Sequence, residues 1–190
     1  MSSYAPFTCA WERLTVPGLE SFSLLPVTAG WSLSGTIVTL HEGIAADSRY
    51  EIYCDHSWRT QRAVIEIRFK GTTRTLGIAA GNGHWAVDNR EVRELEGCVD
   101  IDLGWSPSTN LLPIRRLNLA VGGDSDTINA AWIKFPDLTI ERLPQRYERL
   151  AHDLYRYSSR NGDFSADIHV DQQGIPVEYA GFWRRVPATL

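Results

Sequence analysis

The sequence predicts an all-β protein built on an antiparallel sheet, and three observations support this. Runs of β-branched and aromatic residues alternate with polar residues at a period of two, as in residues 34–40, 49–54 and 62–70. The pair Asn82-Gly83 separates two strand-like runs, and both residues tolerate the positive φ of a tight hairpin turn. Short connections join successive runs, which favours a meander over βαβ units.

The run over residues 62–70 also predicts which face of its strand meets the core. Its apolar face would hold Ala63, Ile65, Ile67 and Phe69, and its other face is mostly polar. Such a division is typical of an antiparallel sheet with one dry and one wet face. A second hairpin is predicted near the C-terminus, where residues 171–174 form the turn of FSADIHVDQQGIPVEY.

One segment gives two interpretations. Apolar residues at positions 143, 147, 150, 154 and 157 recur at spacings of three and four, which predicts a helix that Pro144 would begin. The same segment also divides into RYERL and DLYRYSS, which are compatible with two strands. The residues alone leave both interpretations open.

Composition limits the classes of function. The chain has 190 residues, of which 43% are hydrophobic and 22% charged, so we expect one globular domain over residues 1–190. Its net charge of −4 provides no overall positive field for nucleic acid, although a local arginine cluster would still bind an anion. No secretory signal and no membrane-spanning segment is predicted, and three cysteines without C-x-x-C spacing suit a reducing, cytoplasmic location.

The run CVDIDLGW places two carboxylates on one face of a predicted strand. Asp100 and Asp102 are two residues apart, so their Cα atoms would lie roughly 6.5–7 Å from each other. One interpretation makes them an acid/base pair or cation ligands. The alternative is a solvated strand face, or two partners for nearby arginines.

Those arginines follow a turn that contains Asn110, in the run LLPIRRLNLAVGG. If this run is a strand, Arg115 falls on the apolar face and Arg116 on the other. A buried guanidinium needs a carboxylate or a bound anion, and Asp100 and Asp102 are the nearest candidates in sequence. The segment is then either an internal Arg–Asp brace or a polar floor that holds an anionic or sugar-like head group.

A second cluster lies in HSWRTQR. There Trp58, with Arg59 and Arg62, would stack on a sugar or hold a phosphate, and the alternative is a strand start with solvated charges. The sequence contains no G-x-S-x-G, P-loop, H-E-x-x-H or Rossmann glycine pattern, and its five histidines have no metal-ligand spacing. We therefore predict no catalytic residue, no metal and no cofactor.

The run GCVDIDLGWSPSTNLLPIRRLNL resembles the signature of a bacterial family of unknown function labelled putative glycolipid-binding. In that family a D-x-D-L element precedes P-x-T-N-x-L-P-I-R-R-L. The likeness extends to RYEIYCDHSWRTQR, FPDLTIERLPQRYERL and FSADIHVDQQGIPVEYAGFWRR, and thus to about residues 11–185. It implies a long curved antiparallel sheet that forms a half-barrel or incomplete β-barrel with few short helices, similar to bacterial lipoprotein carriers. It also implies strands over 144–158.

The resemblance further implies a function. The main hypothesis is a non-catalytic protein that binds a glycolipid or another amphipathic small molecule in the concave face of the sheet, with no nucleic-acid partner and possible homodimerisation. Its candidate ligand-binding residues are Trp58, Arg59, Asp100, Asp102, Asn110, Arg115, Arg116, Tyr147 and Tyr157. The alternatives are an enzyme acting on a polar anionic molecule through Asp100, Asp102 and Arg115, and a protein-interaction module.

Overall fold

The computed structural model describes residues 6–187, which contain fifteen β-strands, one α-helix and three short 3₁₀ helices. The α-helix is α1 (Leu111–Leu117), and the 3₁₀ helices span Arg93–Leu95, Ser108–Asn110 and Arg160–Gly162. The strands are β1 (Phe7–Arg13), β2 (Gly18–Val27), β3 (Gly30–His41), β4 (Ile44–Cys54), β5 (Thr60–Phe69), β6 (Thr72–Gly81), β7 (His84–Val87), β8 (Arg90–Glu91), β9 (Asp100–Leu103), β10 (Ile128–Ile133), β11 (Ile140–Ala151), β12 (Leu154–Ser159), β13 (Phe164–Val170), β14 (Pro176–Tyr179) and β15 (Trp183–Arg185).

All of the described strands belong to one curved sheet that does not close. Its order is β8-β7-β6-β5-β4-β3-β2-β1-β15-β14-β13-β12-β11-β10-β9, so nearly every strand pairs with its neighbour in sequence. The pairs are antiparallel, apart from β9 and β10, which run parallel. The predicted all-β fold with a half-barrel of antiparallel strands is confirmed.

The period-two runs form the strands that they predict. Residues 34–40, 49–54 and 62–70 fall almost entirely within β3, β4 and β5. In β5, Ile65 is fully buried while its neighbour Val64 is 53% exposed, because successive side chains point to opposite faces. The turn residues behave as their chemistry requires, since Asn82 and Gly83 both adopt positive φ between β6 and β7.

The segment with two interpretations is strand rather than helix. Residues 140–151 form β11 and residues 154–159 form β12, and Tyr147 pairs with Tyr157 across this hairpin. The inward side chains of β11 follow a period of two through Leu143, Gln145 and Tyr147, all of them buried. A strand hairpin and a helix therefore share part of the same apolar spacing, and sheet pairing decides between them.

The interpretation of residues 111–121 as a strand is wrong. Residues 111–117 form α1, which ends where Asn118 adopts φ 44° and donates its N–H to the Ile114 carbonyl. Pro113 is tolerated because it lies in the first turn, where a backbone N–H has no intrahelical acceptor. The alternating faces predicted for Arg115 and Arg116 are therefore replaced by helical directions.

The sheet curls until its β9 edge approaches the beginning of β5. Thr60 donates its N–H to the Val99 carbonyl at 3.2 Å, and its Oγ1 accepts the N–H of Ile101 at 3.1 Å. Trp105, with Leu111 and Leu112 of α1, is buried in the main core cluster together with the inward side chains of β3, β4 and β5. The concave face is therefore largely packed with the protein's own side chains. Within residues 6–187, no helix is long and apolar enough to cross a bilayer.

Candidate functional site

Asp100 is a structural partner of Arg116. Its side chain is only 1% exposed, and it accepts two hydrogen bonds from the guanidinium, one from Nε at 3.1 Å and one from Nη2. Desolvation raises the pKa of Asp100, and the bonds from Arg116 oppose that shift. The solvated strand face considered for Asp100 is therefore wrong, and Arg116 rather than Arg115 is its partner.

Asp102 lies two residues further along β9 in a different environment. It lines a cavity, and the Gln145 side-chain amide donates to its Oδ2. Burial raises the pKa of Asp102 to about 6, with the hydrogen bond from Gln145 opposing the shift and the charge of Asp100 adding to it. Because Asp100 is held by Arg116, the two carboxylates do not open together onto one site. Asp100 and Asp102 therefore do not have the arrangement of an acid/base pair.

The cavity beside Asp102 has a volume of about 200 Å³, and we call it the ring pocket. Its walls come from β9, the 3₁₀ helix before α1, β10, β12, β13 and the region around β15. The residues that define it are Asp102, Asn110, Trp132, Tyr157, Phe164 and Phe182. It thus combines one carboxylate and one amide with several aromatic rings.

The aromatic wall of the ring pocket is a chain of inclined rings, with an edge contact between Tyr157 and Phe164 and a tilted contact between Phe164 and Phe182. The ring centroids of Tyr157 and Phe164 lie 5.9 Å apart, and those of Phe164 and Phe182 lie 5.5 Å apart. Opposed edges and faces of this kind hold each ring in place beyond simple burial. On another side, the Arg160 guanidinium lies 5.0 Å from the ring centroid of Trp132, and both residues line the pocket.

A buried carboxyl group lies behind the ring pocket. Ser106, which lines the pocket, donates to Glu20 Oε1 at 2.7 Å, and the Tyr50 hydroxyl donates to the same oxygen at 2.5 Å. Glu20 is fully buried, and its Oε2 has no hydrogen-bond partner among the described residues. Desolvation raises the pKa of Glu20 to about 8, although the two hydroxyl donors oppose this. Glu20 is therefore largely protonated in the folded protein at pH 7.

A second cavity, of about 590 Å³, lies at the C-terminal end of α1, and we call it the arginine cleft. It is formed by the loop between β4 and β5, the end of α1, the β11–β12 hairpin and the β13–β14 turn. The residues that define it are Trp58, Arg59, Arg115, Arg116, Arg149 and Asp171. Four guanidiniums thus face one carboxylate.

Trp58 is part of the packing of this cleft. It adopts φ 64° in the loop before β5, and its ring stacks on Trp31 with centroids 4.7 Å apart and planes inclined by 10°. The Arg115 guanidinium carbon lies 5.0 Å from the Trp58 ring centroid. Only 7% of Trp58 is exposed, so its ring supports Arg115 rather than presenting a free stacking face. Arg62, considered with it, lies over Tyr53 instead, 3.8 Å from that ring centroid.

The structure divides the nine candidate residues into two groups. Asp102, Asn110 and Tyr157 line the ring pocket, whereas Trp58, Arg59, Arg115 and Arg116 line the arginine cleft. The remaining two are supports: Asp100 holds Arg116, and the buried Tyr147 donates its hydroxyl to Asn110 Oδ1 at 2.9 Å.

Several site residues were missed in the sequence. Glu20 shares the inward face of β2 with Phe22 and Leu24, so the period-two pattern itself marked a carboxylate among core residues. Arg149 and Phe182 had no such signal, because their place depends on how distant strands curl together. No set of three or more His, Cys, Asp or Glu in residues 6–187 is arranged to hold a metal ion.

Comparisons with known proteins agree with this architecture. A family model described as "Putative glycolipid-binding" matches residues 8–185. The crystal structure of a DUF1089 family protein from Pseudomonas aeruginosa is similar at a TM-score of 0.80 and 31% identity, covering 88% of this chain and 92% of that one. Among curated proteins, none matches this chain. The resemblance carried by the T-N-L-L-P-I-R-R-L signature is thereby confirmed.

Proposed function

The chain belongs to the putative glycolipid-binding family, and from this premise we propose that its ring pocket binds one sugar ring, or another ring-sized group, of an amphipathic ligand. The observation that carries the proposal is the pairing of an aromatic wall with the carboxylate of Asp102 in the same cavity. Aromatic faces and edges pack against the C–H surface of a ring, while a carboxylate accepts hydrogen bonds from its hydroxyl groups.

The size of the pocket favours a ring over a whole lipid. A dry cavity of about 150 Å³ holds a benzene-sized molecule, and pockets for drug-sized ligands run from about 300 to 1,000 Å³. At about 200 Å³ the ring pocket matches the smaller class. Because the concave face is packed by the main core cluster, an acyl chain would lie outside the pocket. The proposed ligand site is therefore the ring pocket alone, rather than the whole concave face expected from the sequence.

We also propose that the role is non-catalytic. Glycoside hydrolysis generally uses two carboxyl groups on either side of the bond that breaks. Of the residues that line the ring pocket, Asp102 supplies one carboxylate, while Asp100 is engaged by Arg116 and Glu20 lies behind Ser106. This arrangement supports binding without turnover and weakens the hypothesis of an enzyme built on Asp100, Asp102 and Arg115.

The test is a titration with n-octyl β-glucoside below its micellar concentration, followed by calorimetry and by the fluorescence of the pocket tryptophans. Glucose and octanol are titrated separately to divide the contribution of the ring from that of the chain. We expect octyl glucoside and glucose to bind, and we expect Phe182→Ala to weaken binding about tenfold through loss of one aromatic wall.

The matched control is Leu25→Ala, which truncates an apolar side chain that is 40% exposed on β2. It should leave the glucoside affinity unchanged. The proposal would be abandoned if neither glucose nor octyl glucoside binds, or if both substitutions weaken binding equally. Mass spectrometry of ligands extracted from protein purified from its native host would then name the natural ligand class.

Three further expectations stay predictions. They are that residues 1–190 form one domain, that the protein resides in the cytoplasm, and that it forms homodimers through a sheet edge. The β8 edge is two residues long, and both residues are exposed. An edge this short presents few unpaired backbone groups, so a dimer would need additional side-chain contacts. Analytical ultracentrifugation measures the oligomeric state directly.

A further inference from the structure

We propose that the arginine cleft is a second binding site, separate from the ring pocket, and that it binds a phosphate ester. The cleft is lined by Arg59, Arg115, Arg116 and Arg149, with Asp171 as the one carboxylate in its wall. The whole chain carries a net charge of −4, so this concentration of positive charge opposes the overall balance of the protein. Guanidiniums gathered in one concave site match the geometry of phosphate oxygens.

The one carboxylate of the cleft does little to neutralise these arginines. Asp171 Oδ1 accepts the backbone N–H groups of Gln173 and Ile175, and Asp171 Oδ2 accepts a bond of 2.8 Å from Arg185 Nη1. Its charge is therefore used to hold the β13–β14 turn and is countered by an arginine outside the cleft lining. Asp100 offsets the charge of Arg116, so the positive charge that an anion would meet in the cleft comes chiefly from Arg59 and Arg149.

Two of the arginines are held in place by other parts of the protein. Arg149 donates to the carbonyl oxygens of Leu119 at 2.8 Å and His152 at 2.6 Å, which fixes its guanidinium without removing its charge. Arg116 is oriented by its two bonds to Asp100. Side chains that are already ordered lose less conformational entropy when a ligand binds.

Arg115 is confined between two elements. Its guanidinium lies over the Trp58 ring at 5.0 Å, and its Cδ is close to the backbone of the β13–β14 turn. At that point Gly174 adopts φ +77°, and a Cβ there would lie 3.2 Å from Arg115 Cδ. The turn therefore needs glycine both for its backbone conformation and to leave room for Arg115 and Ile114.

Arg59 differs from these three arginines because other described residues do not hold its side chain in place, so its substitution tests the site directly. In the described residues its exposed side chain makes no ion pair and no hydrogen bond, while its backbone N–H is capped by Asp55 Oδ1 at 2.9 Å. Substituting it removes a positive charge from the cleft and breaks no hydrogen bond or ion pair, although that charge also favours the ionised form of Asp100. The fold should tolerate this change, so a loss of binding would report on the site itself.

The experiment measures binding of inorganic pyrophosphate to the full chain by calorimetry at constant ionic strength. We expect binding in the native protein and a rise in Kd of about fivefold to tenfold in Arg59→Ala, because one charge-assisted contact is lost. Arg59→Lys keeps the charge but loses the planar fork, so its Kd should fall between the two. The control is Arg184→Ala, which removes an equal charge from the exposed pair with Glu12.

A phosphate ester has two sources, a small molecule or a lipid head group, and a second titration separates them. Vesicles of phosphatidylcholine with 30% phosphatidylglycerol are compared with pure phosphatidylcholine. Pyrophosphate binding that depends on Arg59 supports the proposal with a water-soluble phosphate compound as ligand. Binding only to the anionic vesicles, with the same dependence, supports it with a lipid head group.

The proposal is overturned if neither probe binds, or if Arg59→Ala and Arg184→Ala weaken binding equally, since the effect would then be general charge screening. Its failure is distinguishable from failure of the ring-pocket proposal, because the glucoside titration uses a different cavity and a different variant.

Discussion

The ring pocket lies beside the segment that joins β9 to α1, whereas the arginine cleft lies at the C-terminal end of α1, and the two differ in their chemistry. The first is small, aromatic and lined by one carboxylate, whereas the second is larger, polar and lined by four guanidiniums. Asp102 faces one and Asp100 supports the other, although only one residue separates them. The two aspartates of the D-I-D-L motif therefore belong to two different regions, and they do not form one site.

The largest predicted effect is the loss of unfolding free energy caused by Arg116→Ala. The substitution leaves the carboxylate of Asp100 buried without its partner, and breaking a buried pair in this way costs about 3–5 kcal/mol of unfolding free energy. Urea denaturation measures it. Arg68→Ala breaks an exposed pair with Asp47 and should cost less than about 1 kcal/mol. Equal costs for the two variants would contradict the buried role of Asp100.

The next effect concerns only the ring-pocket side. Because the pKa of Glu20 is about 8 in the folded protein and ordinary in the unfolded chain, the folded state retains a proton that the unfolded chain releases. The free energy of unfolding should therefore fall as pH rises from about 4.5 to 8, by up to about 1.4 kcal/mol per pH unit. Glu20→Gln should remove this slope, as measured by urea denaturation across that range.

The control for Glu20 is Glu51→Gln on β4, which alters an exposed carboxyl group. It should leave the slope in place. Ser106 connects Glu20 to the ring pocket, so Glu20→Gln should also alter glucoside affinity while leaving pyrophosphate affinity unchanged. A change at the cleft instead would show that the two regions are coupled.

Gly174→Ala should act on the cleft alone. The positive φ at this position disfavours alanine, and its Cβ would press on both Arg115 and Ile114, so we expect a loss of more than about 1 kcal/mol of unfolding free energy and weaker pyrophosphate binding. Gly43→Ala is the matched control, since Gly43 has nearly the same φ and no described atom lies within 4 Å of the position that an alanine Cβ would take there. Thermal unfolding and calorimetry compare the two. If pyrophosphate affinity falls equally in both, Arg115 is not the cause.

The smallest effect should be at Asp102. Its pKa is about 6, so the carboxylate is charged at pH 7.5 and mostly protonated at pH 5. A charged carboxylate accepts hydrogen bonds from hydroxyl groups more strongly than a neutral carboxyl group. The affinity for octyl glucoside should therefore fall about threefold to tenfold when the pH is lowered from 7.5 to 5. The Asp102→Asn variant should bind octyl glucoside weakly at both pH values. A native protein whose Kd does not change with pH would exclude Asp102 as the acceptor.

Much of the fold is predictable because it depends on local rules. Alternation predicts β3, β4 and β5, and turn chemistry predicts the hairpin at Asn82-Gly83. For residues 144–158 the residues alone were compatible with helix or strand, and only the family resemblance favoured strands. The T-N-L-L-P-I-R-R-L motif was recognised for its family, yet its helical conformation was missed, since alternation of Leu with other residues over so short a run fits both structures.

Local sequence patterns predict several of the strands, the family follows from the T-N-L-L-P-I-R-R-L signature, and the sequence also names most of the polar residues near the two regions. Which of those polar residues contact each other depends on the three-dimensional packing. Asp100 pairs with Arg116 and not with Arg115 because α1 is a helix, in which neighbouring residues point about 100° apart rather than to opposite faces. Glu20 lies behind the ring pocket because the curl of the sheet brings Ser106 to it across 86 residues of chain. Contacts between residues so far apart in sequence depend on the packing of the whole sheet, and local sequence patterns do not predict them.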